Sequence, residues 1–376
     1  MRMWRSGLRS RRVIKRPSAS GIGALRRIAT APRCPGKAPA YSATRQDRGL
    51  RWTLPICVAD DGGMLLTREV DVFESFRARL EAIAYRLLGS ASDAEDAVQE
   101  TYLRWQAADR EYVQTPEAWL TKVLTNLCLN QLTTARARRE TYVGQWLPEP
   151  VLAGDSMLGP ADTVEQRESV SIAMLTLMER LTAKERVVYV LREAFGYPHH
   201  EIAELIDITE ANCQQVYRRA KQHLSMERAR IEVDEAAARR IVEEFLAAAV
   251  SGQTEKLVEL LTDDASIVGD GGEFLATLSR PLFGAQRVAR FVCLAIKPSN
   301  GTWNKLGGKP EMFAAIANGM PALVLVSERR IVAVVVLQVT VEGIAAVHAQ
   351  VNPDKLAHAN RRWATRAPGA PLPELW

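Results

Sequence analysis

The sequence has no apolar run long enough to cross a bilayer. The longest, residues 322–326 and 331–339, are of strand length and are split by Ser327-Glu328-Arg329-Arg330. No membrane partner is expected. Cysteine is sparse: Cys34, Cys57, Cys128, Cys213 and Cys293 show no Cys-x-x-Cys pair or clustered histidine spacing, which argues against a disulfide framework and a zinc site. A cytoplasmic, reducing setting without metal or other cofactor fits this usage. Acid is nearly missing from residues 1–63, which hold 3 Asp+Glu against 14 Lys+Arg, whereas residues 64–376 hold 41 against 35. The net charge of +5 therefore belongs to the amino-terminal stretch, and a case for nucleic acid has to rest on local patches.

That basic stretch also lacks apolar periodicity and is rich in Arg, Ser, Pro and Gly, the composition of a disordered segment. Organelle transit peptides share an Arg-rich, acid-poor composition, but the apolar core of a secretory signal is missing. Met64 immediately precedes the first well-patterned helix, so residues 1–63 read either as a basic arm or as an over-extended translation start. With 47% apolar residues over 376 positions, the chain can build two or three domains with cores of their own.

From Arg68 onward, Val70, Phe73, Phe76, Leu80, Ile83, Leu87 and Leu88 recur three or four apart and stop at Gly89, predicting an amphipathic helix. Ser92-Asp93-Ala94-Glu95 reads as a capping box that opens a second helix with Ala94, Val98, Tyr102 and Trp105 on its buried stripe. Its other face gathers Asp93, Asp96, Gln99, Glu100 and Leu103, either a solvated face or a dock for a basic partner. Thr115-Pro116 starts a third helix carrying Trp119, Leu120, Val123, Leu124, Leu127 and Leu132. That helix ends in Arg136, Arg138 and Arg139 after Asn126, Asn130 and Gln131, with Tyr112 and Trp119 nearby. Cations for phosphates, with amides and aromatics for unstacked bases, suit single-stranded nucleic acid. A core Trp119 and a basic end that complements the helix dipole are the plainer alternative.

Residues 198–224 read as a helix-turn-helix. Ile202, Ala203 and Leu205 pattern a short helix, Asp207-Ile208 breaks it, and Thr209 caps a second run that turns Ala211, Val216, Ala220 and Leu224 inward. The outward side holds Asn212, Gln214, Gln215, Arg218, Arg219 and Lys221. Amides and guanidinium groups on an exposed helix match base edges in the major groove and the flanking phosphates, although an ordinary solvated helix has a similar face.

Taken together, SDAEDAVQETYLRW, TPEAWLTKVLTNLCLNQL and RARRE resemble region 2 of a sigma factor of the extracytoplasmic-function group. The helix-turn-helix, entered through Leu181-Thr182-Ala183-Lys184-Glu185-Arg186 and LREAFGYPHHEIAELI, resembles region 4 of the same family. The two resemblances cover residues 68–228 in the family's order. They imply core RNA polymerase as partner, through its β′ clamp and β flap, with the clamp held by Asp93, Asp96, Gln99, Glu100 and Leu103. They also imply promoter DNA in two forms. The −10 element would be taken as single strand by Trp119, Asn126, Asn130, Arg136, Arg138 and Arg139, with Asn126 at the family position near a flipped base. The −35 element would be read as duplex by the second helix of the helix-turn-helix. Neither an anti-sigma partner nor its absence follows from the sequence, and the free chain is expected to be monomeric.

Between the two regions, prolines at 148 and 150 exclude a helix and mark an extended linker. Trp146 and Leu147 are apolar there; they pack locally or belong to WLPEP, which resembles the signature of a subgroup with a carboxy-terminal SnoaL-like domain. The following pattern is α+β. Ile241, Val242, Phe245, Leu246 and Ala249 describe a helix, residues 254–261 a second, and residues 322–326, 331–340 and 344–351 a strand meander, with earlier strands around 266–268 and 274–278. The expectation is a curved antiparallel sheet similar to the cone-shaped SnoaL-like barrel, whose open end encloses a pocket. Asp263, Asp264, Asp270 and His348 supply candidate acids and a base, but their spacing shows no convergence. Asp263-Asp264 suits a turn and His348 a packing role, so no catalytic residue is assigned. In the subgroup a DGG loop and an NPDKL motif put the extension in contact with the sigma core and modulate it. Asn352-Pro353-Asp354-Lys355-Leu356 matches fully and Asp270-Gly271-Gly272 in its first half, where Glu273 and Phe274 replace the usual glycine and lysine. Tight turns explain both stretches as well.

The expected organisation is thus a basic tail (1–63), an all-α region 2 bundle (64–140) and the WLPEP linker (141–168). An all-α region 4 helix-turn-helix (169–229), an α+β SnoaL-like domain (230–351) and the NPDKL motif with a tail (352–376) complete it. The function implied is an alternative sigma factor without catalysis of its own, modulated by its fused domain. A helix-turn-helix regulator that does not bind core polymerase, and a fused domain acting as small-molecule sensor or enzyme, are the alternatives.

Overall fold

A computed structural model of the chain describes residues 62–109, 111, 113–140, 142, 144–160, 163–224, 234–274, 280–297, 302–305, 308–365 and 370–372. The expected tail up to residue 61 and the expected strand at 275–278 lie outside them, and Phe274 is in a turn.

The first bundle is α1 (Gly62–Leu88), α2 (Ala91–Ala107) and α3 (Pro116–Glu140). Gly89 ends α1 in the left-handed region, φ 67°, and the chain re-enters a helix at once. The cap of α2 is accordingly Ser90, whose hydroxyl accepts from the Asp93 N–H at 3.0 Å, and not the expected Ser92, which already lies inside the helix. Short helices α4 (Val164–Glu168) and α5 (Ile172–Leu177) lead into α6 (Ala183–Glu193), α7 (His199–Leu205) and α8 (Glu210–His223). Thr182 and Glu185 form a full capping box on α6, and Thr209 caps α8. On α8 the buried stripe is Cys213, Ala220 and Leu224 with Val216 half-buried; Ala211, expected inside, is exposed, because the 3.6-residue period runs through Cys213. Leu80, Ile83, Leu124 and Cys128 of the first bundle share one continuous core with Val187, Leu191, Ile202 and Cys213 of the second.

The remaining elements are α9 (Glu235–Ser251), α10 (Thr254–Leu260), β1 (Leu261–Asp270), β2 (Leu282–Phe283), α11 (Ala285–Ala295), α12 (Thr302–Lys305), β3 (Glu311–Ala317), β4 (Met320–Ser327), β5 (Arg330–Thr340), β6 (Gly343–Gln350) and α13 (Ala357–Thr365). The sheet order is β2-β1-β6-β5-β4-β3. Adjacent strands are antiparallel except β1 and β6, which pair in parallel with Val268 opposite His348 and Asp270 opposite Gln350. The purely antiparallel expectation fails there. A parallel neighbour requires a long crossover, and everything from α11 to β5 supplies it. β3 and α11 were not anticipated.

Both sheet faces are covered. Leu323, Leu337, Val339 and Val347 pack under α9, α10 and α11, while Val324, Val334 and Val336 pack against Leu147, Leu152, Ile172 and Trp363. Burial on both sides explains why residues 331–337 read as an unbroken apolar run and not as an alternation.

Candidate functional site

On α2 the five residues singled out in the sequence lie on an outward face: Asp96, Gln99 and Leu103 are exposed, and Asp93 and Glu100 are half-buried, with Glu100 accepting from Arg104 Nε at 2.9 Å. On α3, Trp119 is half-buried and tilts against Trp105, 5.6 Å between ring centroids, so the indole does packing work beside any DNA role. Asn126 is half-buried and Asn130 exposed; Arg136, Arg138 and Arg139 fall within α3, but their side chains lie outside the described residues. On α8, Asn212, Gln215, Arg218, Arg219 and Lys221 are exposed. Gln214 is half-buried and donates to Glu210 Oε1 at 3.3 Å, and Lys221 lies 3.8 Å from Glu193.

The α3 and α8 surfaces do not stand apart. Lys122 of α3 donates to the Glu204 carbonyl at 2.9 Å and to Asp207 Oδ1 at 2.8 Å, in the turn of the helix-turn-helix. Buried Arg186 of α6 donates to the Arg86 carbonyl of α1 at 3.2 Å and pairs with Glu179 at 2.5 Å. Arg86, also fully buried, sends its guanidinium to the Leu158 carbonyl at 2.6 Å and to Ser169 Oγ at 2.8 Å, fastening the second half of the linker.

The linker expected to be extended is, over residues 147–152, a buried strut. Leu147, Pro148, Glu149, Pro150, Val151 and Leu152 are buried. The Glu149 carboxylate reaches the start of α2, accepting from Ser90 Oγ at 2.7 Å and from the Ser92 N–H at 3.2 Å, which favours an anion at a helix amino terminus. Burial nevertheless raises its pKa above the usual carboxylate range, outweighing those bonds. Three residues on, Leu152 bridges to Ala317 and the Ala153 N–H donates to the Ile316 carbonyl at 2.9 Å, so the linker adds a fragment to the β3 edge of the sheet. The β3–β4 turn inserts Asn318 in return. Fully buried, it donates to Tyr85 Oη at 2.7 Å and the Val170 carbonyl at 2.8 Å, and accepts from the Val151 N–H at 2.9 Å.

At the other end of the strut the WLPEP, DGG and NPDKL residues meet. Asp270 is fully buried at the end of β1. Its carboxylate accepts from Tyr142 Oη at 2.6 Å, the Leu147 N–H at 2.9 Å, the Gly272 N–H at 3.2 Å and Gln350 Nε2 at 3.3 Å, and it pairs with Lys355 Nζ at 2.6 Å. The same ammonium donates to the Leu147 carbonyl at 2.8 Å and lies 4.4 Å from the Trp146 ring centroid and 4.5 Å from that of Tyr142. Asn352 Nδ2 donates to Tyr142 Oη at 2.8 Å. Gly272 has φ 53°, and a Cβ there would come within 2.7 Å of Asn352 Nδ2, so turn geometry and close approach both demand glycine. Gly271 and Pro148 are buried beside this cluster, Asp354 caps the turn through its N–H to Asn352 Oδ1 at 3.1 Å, and Pro353 and Leu356 complete the turn, with Leu356 in the core. The substitution of Glu273 and Phe274, both exposed, falls outside the cluster.

A second ionic cluster, which sequence reasoning missed, joins α13 to α2. His358 is 2% exposed and lies 2.9 Å from both Glu95 Oε1 and Asp155 Oδ2, while Arg361 pairs with Glu95 and Arg362 with Asp155 at 2.6 Å. Burial works against the imidazolium, but the two carboxylates outweigh it and lift His358 to about 9. Burial likewise opposes the charge on Asp155, and the His358 and Met157 N–H bonds overcome it, bringing Asp155 to about 2. Spacing of 263 residues between His358 and Glu95 left no local signal.

The residues weighed for acid-base chemistry do not converge. Asp263 and Asp264, expected in a turn, are exposed early in β1, where Asp264 accepts from Thr262 Oγ1 at 3.0 Å. His348 and Asp270 share the sheet face turned toward the linker and α13. The domain's cavity, of about 160 Å³, opens on the opposite face, and every one of its lining side chains is apolar, Phe245, Ile267, Phe291 and Val347 among them. Among the described residues no group of His, Cys, Asp and Glu could hold a metal, and no helix is long and apolar enough to cross a membrane.

Two family models match, Sigma-70 region 2 over residues 72–138 and Sigma-70, region 4 over residues 171–224. The sequence is 38% identical over 225 residues to the ECF RNA polymerase sigma factor SigJ of Mycobacterium tuberculosis, covering 60% of this chain and 72% of that one. It is 30% identical over 290 residues to the probable ECF RNA polymerase sigma factor SigI of the same species, covering 76% and 93%. The crystal structure of Mycobacterium tuberculosis extracytoplasmic function sigma factor SigJ superposes with a TM-score of 0.59 at 31% identity, over 76% of this chain and 98% of that one.

Proposed function

This chain belongs to the extracytoplasmic-function sigma factors, and from that premise we propose how its parts divide the work of an alternative sigma factor. The exposed α2 face of Asp93, Asp96, Gln99, Glu100 and Leu103 docks on the β′ clamp of core RNA polymerase, and the second helical module meets the β flap. The α3 surface around Asn126 and Asn130 holds the opened −10 strand, and α8 reads the −35 duplex through Arg218, Arg219, Lys221 and the neighbouring amides. No catalytic step belongs to the chain itself; it acts in the cytoplasm as an initiation subunit.

The carboxy-terminal domain governs the distance between the two DNA-binding surfaces. Two linked modules gain from each other only when the linker lets both reach their sites. Here one shared core holds α3 against α7, and the strut between them is gripped at Asp270 and Lys355, at Asn318, and at His358. The single observation that supports this reading best is the Asp270 carboxylate binding the Leu147 N–H while Lys355 binds the Leu147 carbonyl. In this reading, promoter engagement requires the shared core to part, and the grip on the strut sets how readily it does. In vitro transcription with purified core polymerase tests it. Asp270→Asn and Lys355→Met should change promoter output while core binding, read by pull-down, persists. Identical output from wild type and both variants would sink the regulatory reading and leave the docking reading standing.

A further inference from the structure

Two carboxylates of α6 reach the carboxy-terminal half of α8: Glu185 lies 3.6 Å from His223, and Glu193 lies 3.8 Å from Lys221. Glu185 has a local reason to be there, since its other oxygen accepts from the Thr182 N–H at 2.8 Å and completes the capping box of α6. Glu193 is placed differently. It is the last residue of α6, where the helix dipole disfavours an anion, and its side chain is only 16% exposed. Contacts with α8 offset that position: the Tyr217 hydroxyl donates to Glu193 Oε1, and Oε2 faces the Lys221 ammonium.

Lys221 sits one turn beyond Tyr217, and its ammonium lies 5.6 Å from the centroid of that ring. The side chain therefore folds back along α8 toward α6, although 56% of it stays exposed. Tyr217 is braced in turn by His199, edge to face with 5.2 Å between ring centroids. Phosphate and carboxylate compete for the same ammonium, which binds either as a point charge. A lysine already paired with a carboxylate adds less to DNA affinity, and less to its salt dependence, than an unpaired one would. We infer that Glu193 is a positioning residue for duplex binding by α8: acting through Lys221, it holds that ammonium back from a full phosphate contact. This inference rests on the −35 reading given above. Its effect is the same for every sequence, because a phosphate carries no base identity.

The probe is a fluorescein-labelled DNA duplex of mixed sequence, titrated with the full chain at increasing salt and followed by anisotropy. Glu193→Gln keeps an acceptor for the Tyr217 hydroxyl and removes the charge. It should tighten binding at low salt at least threefold and steepen the slope of log affinity against log salt by roughly 0.5–0.9. In the Lys221→Met background the same substitution should leave the slope unchanged. A residue that only props the helices would not change a salt slope in a lysine-dependent way, so no steepening, or equal steepening in both backgrounds, overturns the inference. Lys221→Met alone, an exposed change, keeps the test valid if Glu193→Gln fails to fold. It should flatten the slope by less than half of the roughly 0.9 that one phosphate contact contributes, and a full loss overturns the inference as well. Failure of the −35 reading has its own signature. Duplex affinity unchanged when Arg218, Arg219 and Lys221 are all replaced, as Arg218→Ala, Arg219→Ala and Lys221→Met together, would show that α8 does not meet DNA, and both would fall.

Discussion

The α8 face and the Asp270 cluster both consist of polar residues, yet they differ in every physical respect. Arg218 and Arg219 stand in solvent, with their binding capacity directed outward. Asp270 has lost all contact with solvent and spends its whole hydrogen-bonding capacity inside the chain. A surface that awaits a partner tolerates substitution without loss of fold, because water replaces what is removed. A buried polar network has no such replacement, and its members stand or fall together.

That contrast orders the expected effects of substitution. Asp270→Ala strands the Lys355 ammonium among protein groups, which for buried pairs costs roughly 3–5 kcal/mol. Chemical denaturation should show a loss of that size, and Asp270→Asn a smaller one. Next comes Asn318→Ala, which removes the partner of the Val151 N–H and the Val170 carbonyl and the donor to the Tyr85 hydroxyl, which keeps its bond to the Glu149 carbonyl, and should cost roughly 2–3 kcal/mol by the same measurement. A loss below about 0.5 kcal/mol in either alanine variant would show that the strut is not held as described.

The ionic joint between α13 and α2 gives the pH dependence. His358 is raised from 6.5 to about 9, so the stabilisation it brings is fully present below pH 6.5 and is lost as pH climbs through 9. Asp155, lowered from 3.8 to about 2, contributes above pH 3.8 and loses its share as pH falls through 2; Glu95 is lowered as well, chiefly by its bond to His358. The contribution of this joint should therefore hold level from about pH 4.5 to 6.5 and decline toward pH 9 by roughly 2 kcal/mol, read as the difference between wild type and His358→Gln in thermal unfolding. An alkaline slope of equal size in that variant would remove His358 from the explanation.

How much of this was legible depended on distance along the chain. Helices α1 to α3, α7 and α8 repeat apolar residues every three or four positions, and β4 to β6 are apolar runs, so these came from local pattern, whereas the stretch of α6 was reached through family resemblance. The Ser90 cap was misplaced by two residues because the Gly89 turn and the Glu149 carboxylate, not the S-x-x-E spacing, decide where α2 begins. β3 escaped because EMFAAIA carries small alanines and no alternation. The connection of Asp270, Lys355 and the WLPEP residues came only through family resemblance, since no periodicity joins positions 147, 270 and 355. Asn318 and His358 carry no motif at all, and WLPEP gives no sign of what Glu149 binds; all three matter through partners more than 50 residues away.

The smallest expected effect belongs to the exposed face and sharpens the contrast most. Arg219→Ala on α8 removes an exposed cation, so its change in unfolding free energy should stay within about 0.5 kcal/mol. Its effect should appear only with DNA present. If Arg219 meets a phosphate, binding to promoter duplex weakens for all sequences alike and the slope of log affinity against log salt falls by about one; if it meets a base edge, discrimination at one position relaxes by about 1–3 kcal/mol instead. The −10 strand should be held as before, because Arg219 lies on the other module. A variant that loses stability and leaves duplex binding untouched would place Arg219 in the same class as Asp270, and the division between an outward-facing reader and an inward-facing clamp would not hold for this helix.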